Sequence, residues 1–161
     1  MKSFMKLFVI TTILILGFSC SKDDEGSKEK EEDKLITLEG DYRGSWSSTT
    51  DMDITYDNFG ISAKLAFSNS TEDRLTGEFF ATSSLASCCV AGENDGTLVL
   101  DLDGDDITAF RLNSKVQNCT GDFIGSGTIT SGSPYTLKIN FTGNDCDGNH
   151  IGEMVFARTE K

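Results

Sequence analysis

From Leu38 to Arg158, apolar side chains recur at every second position in run after run, and the 3.6-residue period of a helix fits poorly anywhere in that span. Leu38, Gly40, Tyr42, Gly44 and Trp46 form the first set. Ile61, Ala63, Leu65 and Phe67 form the second, and Leu75, Gly77, Phe79 and Ala81 the third. Leu98, Leu100 and Leu102 follow, then Ile107–Leu112, whose inward face the pattern leaves open. Phe123, Gly125, Gly127 and Ile129 make the sixth set. Tyr135, Leu137, Ile139 and Phe141 make the seventh, and Gly152, Met154, Phe156 and Arg158 the eighth. A two-residue period places each set on one face of a strand. Sixteen glycines and a single proline, Pro134, supply turns without interrupting strands.

Eight strands joined by hairpins predict an all-β, antiparallel up-and-down barrel over residues 38–161, a fold that leaves no free sheet edge. A two-sheet β-sandwich is the alternative. The connections Asn69–Asp73, Asp103–Gly104 and Ser131–Pro134 are short and rich in turn residues, with a type I′ turn expected at Asp103–Gly104. Those near residues 47–60, 83–95, 113–120 and 144–149 are longer. In an alternating meander all the short turns fall at one end, so a closed base and an open mouth are expected. The alternation of Met52, Ile54 and Tyr56 fits either a prolonged strand or a flap over the mouth.

The first strand carries Gly44-Ser45-Trp46, a G-x-W pattern, and the last carries Phe156-Ala157-Arg158. With the eight-strand meander these make the domain resemble a lipocalin-like barrel, of the kind found in bacterial outer-membrane lipoproteins. The resemblance implies a small apolar or amphipathic ligand held inside, and an Arg packed against the Trp at the base. Phe67, Leu100, Ile139, Phe141 and Phe156 are then expected to line the ligand space, with Tyr42 and Trp46 lower down. The same large residues are also enough to fill so small a barrel.

Residues 1–19 read as an exported leader: Lys2 and Lys6 precede an apolar core from Leu7 to Phe18, too short for a spanning helix of roughly 20 residues. The leader ends in Leu16-Gly17-Phe18-Ser19-Cys20, which resembles a lipobox and implies that Cys20 is lipidated. Residues 20–37 are a charged tether with almost no apolar side chains. Its start, SKDDE, resembles the acidic export signals of surface lipoproteins. The expected location is the outer membrane, on its periplasmic or cell-surface face.

Four cysteines remain in an oxidising compartment. The hairpin through Ser131–Pro134 brings Cys119 to within about one residue of Cys146 across the sheet, inside disulfide reach. Cys119–Cys146 is therefore the expected bridge, with Cys88 and Cys89 either joined to each other or reduced. A link from Cys88 or Cys89 to Cys119 is the alternative. No paired Cys spacing suits zinc. The stretches Asp101–Asp106 and Asp145–His150 lack the Gly and Glu positions of a calcium loop and read as turns, although Asp145, Asp147 and Asp122 could gather at the mouth.

Function narrows by exclusion. The net charge is −12, or −14 without Lys2 and Lys6, which repels nucleic acid. The single histidine, His150, is expected to be a solvated loop residue, and the one Gly-Ser-Gly, Gly125-Ser126-Gly127, lies inside a strand rather than on a nucleophile elbow. Neither a catalytic constellation nor a cofactor is expected. Two readings follow: a membrane-anchored barrel that binds a small ligand, or a filled barrel whose mouth loops engage an outer-membrane protein.

Overall fold

Each alternating run becomes a strand in the computed structural model, which describes residues 38–68, 71–81, 94–116 and 118–159. In chain order they are β1 (Gly40–Thr50), β2 (Thr55–Ser68), β3 (Thr71–Phe80), β4 (Gly96–Asp103), β5 (Asp106–Ser114), β6 (Gly121–Thr130), β7 (Thr136–Asp145) and β8 (Gly148–Arg158). The leader, Cys20, the tether, Cys88 and Cys89 lie outside the described residues.

Each strand pairs antiparallel with the next, and β1 pairs with β8 from Tyr42↔Arg158 to Thr50↔His150, so the sheet closes into an eight-stranded up-and-down barrel. That seam rules out the sandwich, which would leave two sheets with open edges. Ser68, Thr71, the turn 104–105 and the link 131–135 lie at the base, and the turns 51–54 and 146–147 lie at the mouth with the end of β3, the start of β4, the end of β5 and the start of β6.

Two of the expected long links are short. β1 and β2 run on through most of residues 47–60, and β7 and β8 through most of 144–149, because inside–outside alternation continues past the last apolar residue. Ser48, Thr50 and His150 carry it, buried although polar. The turn at the end of β4 also differs from expectation. Its centre is Gly104-Asp105, between the paired Asp103 and Asp106, and only Gly104 has a positive φ (59°). A type I′ turn needs positive φ at both central residues, whereas Gly at the first alone matches type II′.

Two bulges reset which side chains face inward. In β5, Leu102 pairs with Ile107 but Asp101 with Ala109, so Thr108 is the extra residue. Both Ile107 and Phe110 then point into the core, each 1% exposed, which resolves the face the pattern left open. In β2, Trp46 pairs with Phe59 but Ser48 with Tyr56, so Asp57 and Asn58 stand opposite Ser47 alone. Asn58 adopts φ 52°, a left-handed conformation that Asn tolerates, and its backbone N–H donates to Ser47 Oγ (3.1 Å). This bulge turns Tyr56 inward at the mouth.

The lower barrel is filled. Tyr42, Leu65, Leu75, Leu100, Ile139 and Phe156 are among the core side chains at 2% exposure or less. Tyr42 donates its hydroxyl to the Leu38 carbonyl (2.6 Å), and burial pushes its phenol well above the ordinary range, against the pull of the Arg158 charge. Inward glycines let strands approach where the wall bends. A Cβ on Gly127 would stand 2.0 Å from the Lys138 carbonyl oxygen across the β6–β7 pair. Gly127→Ala is therefore expected to lower unfolding free energy by about 1–3 kcal/mol, read from the urea midpoint at unchanged m-value.

Candidate functional site

Small inward residues collect at one end of the barrel. Ser48, Ser114, Gly121 and Gly143 all lie on inward positions within a few residues of the mouth. A cavity of about 270 Å³ opens at this end, with Ser114 and Ala81 among its lining residues. Trp46, Phe123, Ile61 and Phe79 form its apolar walls, with Phe59, Val116 and the Cys119–Cys146 disulfide around them. Phe59 is 46% exposed, so the apolar surface continues to the opening.

The disulfide is the bridge the register predicts: Cα–Cα is 5.0 Å and the sequence separation is 27 residues. It ties the β5–β6 connection to the β7–β8 turn. On chain-entropy grounds a loop of this size stabilises the fold by about 3 kcal/mol. A second tie comes from Asp51, whose carboxylate accepts the backbone N–H (2.8 Å) and side-chain amide (2.7 Å) of Asn149. The Asn149 hydrogen bonds hold the Asp51 carboxyl below its ordinary value.

One wall of the cavity is polar, and it is built on His150. Against expectation this residue is buried, at 2% exposure, because strand pairing with Thr50 at the seam points its ring inward. Trp46 Nε1–H donates to Ser48 Oγ (2.7 Å). Ser48 Oγ lies 3.0 Å from His150 Nδ1, and His150 Nε2 lies 2.9 Å from Asp145 Oδ1. Trp can only donate, so Ser48 Oγ accepts from it, and the proton on His150 Nε2 goes to the Asp145 carboxylate. The ring is packed between Tyr56, stacked at 5.7 Å, and the edges of Trp46 and Phe123.

Asp147 completes the wall. Its backbone N–H donates to Asp145 Oδ1 (2.8 Å), and its Oδ2 accepts a short hydrogen bond from the Tyr56 hydroxyl. That bond, then burial and the negative charges of Asp147 and Asp145, push the Tyr56 phenol up to about 12.

The residue types Ser, His and Asp match a hydrolytic triad, but the arrangement serves packing. Ser48 is 5% exposed and absent from the cavity wall, and its oxygen already accepts the Trp46 N–H. Metal chemistry fits no better. Donor atoms of Cys119, Asp145, Cys146 and Asp147 lie within 4.8 Å of one another, but both sulfurs are consumed by the disulfide, leaving two carboxylates. Calcium takes six to eight oxygens. Asp122 points away, with its carboxylate accepting from Asn113 Nδ2 (2.7 Å) on the outer surface.

Of the residues the sequence pattern places around a ligand, only Trp46 lines the cavity. Tyr42, Leu100, Ile139, Phe141 and Phe156 are packed into the filled barrel, and Phe67 lies at its base end, near the close of β2, where its N–H meets Glu39 (2.8 Å). The strand directions explain this: β2 and β8 run from mouth to base, so their last inward residues lie farthest from the opening. Phe141 touches the cavity only indirectly, as a ring packed on Trp46 at 4.4 Å. Arg158 does not meet Trp46 as the lipocalin resemblance implies. It pairs with Tyr42 in register and lies over Gly40. The sequence pattern turned Phe123 inward and put Tyr56, Asp145 and Asp147 near the mouth without joining them into a site, and it assigned Phe59 and His150 no part in one.

A larger hollow of about 1,070 Å³ lies elsewhere, over Arg111, Ile124, Ser126, Asn140, Ile151 and Glu153. Those are outward side chains of the wall, and the feature is a shallow surface trough rather than an interior site.

The fold and the cavity together define a closed eight-stranded barrel with a ligand-sized hollow at one end. No protein-family model matches the chain, and no curated protein matches it. Solved structures similar to it include apo shwanavidin, at TM-score 0.44 and 12% identity over 77% of this chain and 98% of that one. A rhizavidin–biotin complex matches at TM-score 0.44 and 14% identity over 73% of this chain and 92% of that one.

Two outcomes test the polar wall. Ser48→Ala leaves the Trp46 N–H buried without its acceptor, so a loss of about 1–3 kcal/mol is expected, with a shifted emission of this chain's single tryptophan. Tyr56 should ionise only near pH 12 in the folded protein, against about 10 for a free phenol. A raised folded value means that its contribution to stability is complete below pH 10 and is lost as pH rises from 10 to 12. Phenolate absorbance of wild type against Tyr56→Phe isolates that step, and Asp147→Asn should move it back towards 10.

Proposed function

We propose that this chain is a lipid-anchored, lipocalin-like binding protein, not an enzyme, whose mouth cavity holds one small amphipathic ligand. The observation that carries the reading is the cavity itself: about 270 Å³, apolar on Trp46, Phe123 and Phe79, polar on Tyr56, Asp147 and His150. An apolar cavity of roughly 150 Å³ admits benzene, so this one suits a body of about one or two rings. The apolar end of the ligand sits on the indole, and its polar end meets the wall built on His150. Export and anchoring rest on the leader, on Cys20 at its end and on the acidic stretch after it. Three acyl chains on one cysteine give stable membrane attachment, where a single chain is marginal. The tether then holds the barrel off the outer membrane.

Native mass spectrometry of the full, exported protein, run beside a denatured sample, tests the binding reading. Extra mass that disappears on denaturation is expected in wild type and absent from Ala81→Phe, which places a ring in the cavity. A wild-type mass equal to the bare polypeptide plus its lipid, whatever small molecules are supplied, overturns it. Fractionation of Cys20→Ala cells tests the anchor: the processed protein should leave the membrane fraction, and its retention there refutes lipidation.

A further inference from the structure

Among the described residues, the carboxylates at the mouth outnumber the basic groups that face them. Among the described residues that line the cavity, the ionisable groups are Asp145, Asp147, His150 and Tyr56, and no lysine or arginine joins them. His150 Nε2 donates to Asp145 Oδ1 (2.9 Å), and its Nδ1 lies 3.0 Å from Ser48 Oγ. Asp145 Oδ1 also takes the Asp147 N–H, and Asp147 Oδ2 takes the Tyr56 hydroxyl. The second oxygen of each carboxylate, Asp145 Oδ2 and Asp147 Oδ1, meets no donor among the described residues. Two carboxylates thus share one corner of an otherwise apolar cavity with a single imidazole, so the corner keeps a negative excess whichever form that ring takes.

The rest of the cavity is aromatic. Trp46, Phe123, Phe79, Phe59 and Tyr56 all contribute to it. Ring faces attract organic cations, and the attraction grows as water is excluded. A neutral donor would gain only the hydrogen bonds, and an anion would be repelled by both carboxylates. The net charge of −12 adds a long-range field of the same sign, which draws cations towards the barrel.

We propose that the cavity selects a small organic ammonium, with its N–H groups on Asp147 and Asp145 and its apolar body against Trp46 and Phe123. This rests on the cavity being a ligand site, and it names the chemical class that site takes.

The matched probes are 2-phenylethylamine, 2-phenylethanol and phenylacetate, which share a ring and differ in the charge of the head. Trp46 is the only tryptophan in the chain and lines the cavity, so its emission reports occupancy directly. Titrations of the full protein at neutral pH should show the amine binding at least about tenfold more tightly than the alcohol, as charge-assisted hydrogen bonds imply, with phenylacetate weakest. Asp147→Asn keeps an acceptor for Tyr56 and removes one charge. It should abolish most of the preference for the amine while leaving binding of the alcohol in place, which also shows that the variant is folded. Equal or tighter binding of the alcohol or the acid overturns the ammonium assignment and leaves the binding reading intact, because Trp46 has still responded. Silence of Trp46 towards all three overturns the assignment as well, and the comparison of native masses between wild type and Ala81→Phe then decides separately whether the cavity binds anything.

Discussion

Everything at the mouth depends on the pairing of β1 with β8. That seam converts a meander into a barrel, and it does so along strands 102 positions apart at Ser48 and His150. Its register sets Thr50 opposite His150 and Ser48 opposite Gly152. The imidazole thereby reaches diagonally to the serine, and Gly152 leaves room for Ser48, whose Cβ would stand 2.5 Å from a Cβ placed there. A shift by one residue would send His150 outward and leave Ser48 and Asp145 without their common partner. A buried polar network of this kind stabilises only when every member is satisfied, which makes it a strong constraint on register.

The barrel divides into a filled part and a hollow part by residue volume. Tyr, Phe, Leu and Ile occupy inward positions from the base upward, and the layers interlock without room for a ligand. Near the mouth, Trp46, Phe79, Phe123 and Tyr56 stand around a space that they do not fill. The disulfide and the Asp51–Asn149 contacts then fix the mouth turns around that space. The result is an aromatic cup with its carboxylates confined to one side. Too few oxygens converge there for an ion such as calcium.

Local chain irregularities matter as much as regular pairing. The bulge at Asp57 and Asn58 is one residue of excess length, yet it alone brings Tyr56 to the cavity. Thr108 does the same for the core, by allowing Ile107 and Phe110 to share a face. Both shifts exploit the two-residue period: a single extra residue inverts every side chain beyond it.

Strand number, antiparallel order, the faces of seven strands, the separation of short turns from the mouth connections and the Cys119–Cys146 bridge were all legible in the chain, because each follows from a period of two and from turn chemistry, which are local. The location of the ligand space was not. Tyr42, Leu100, Ile139, Phe141 and Phe156 looked like a lining because they face inward, but facing inward does not say whether neighbouring strands fill the space they face. That answer needs the shear and direction of all eight strands at once. His150 looked solvated at the edge of a polar turn. Only closure of the sheet, pairing it with β1, carried it into the interior, where Ser48 and Asp145, remote in the chain on one side and five residues away on the other, could satisfy both of its nitrogens.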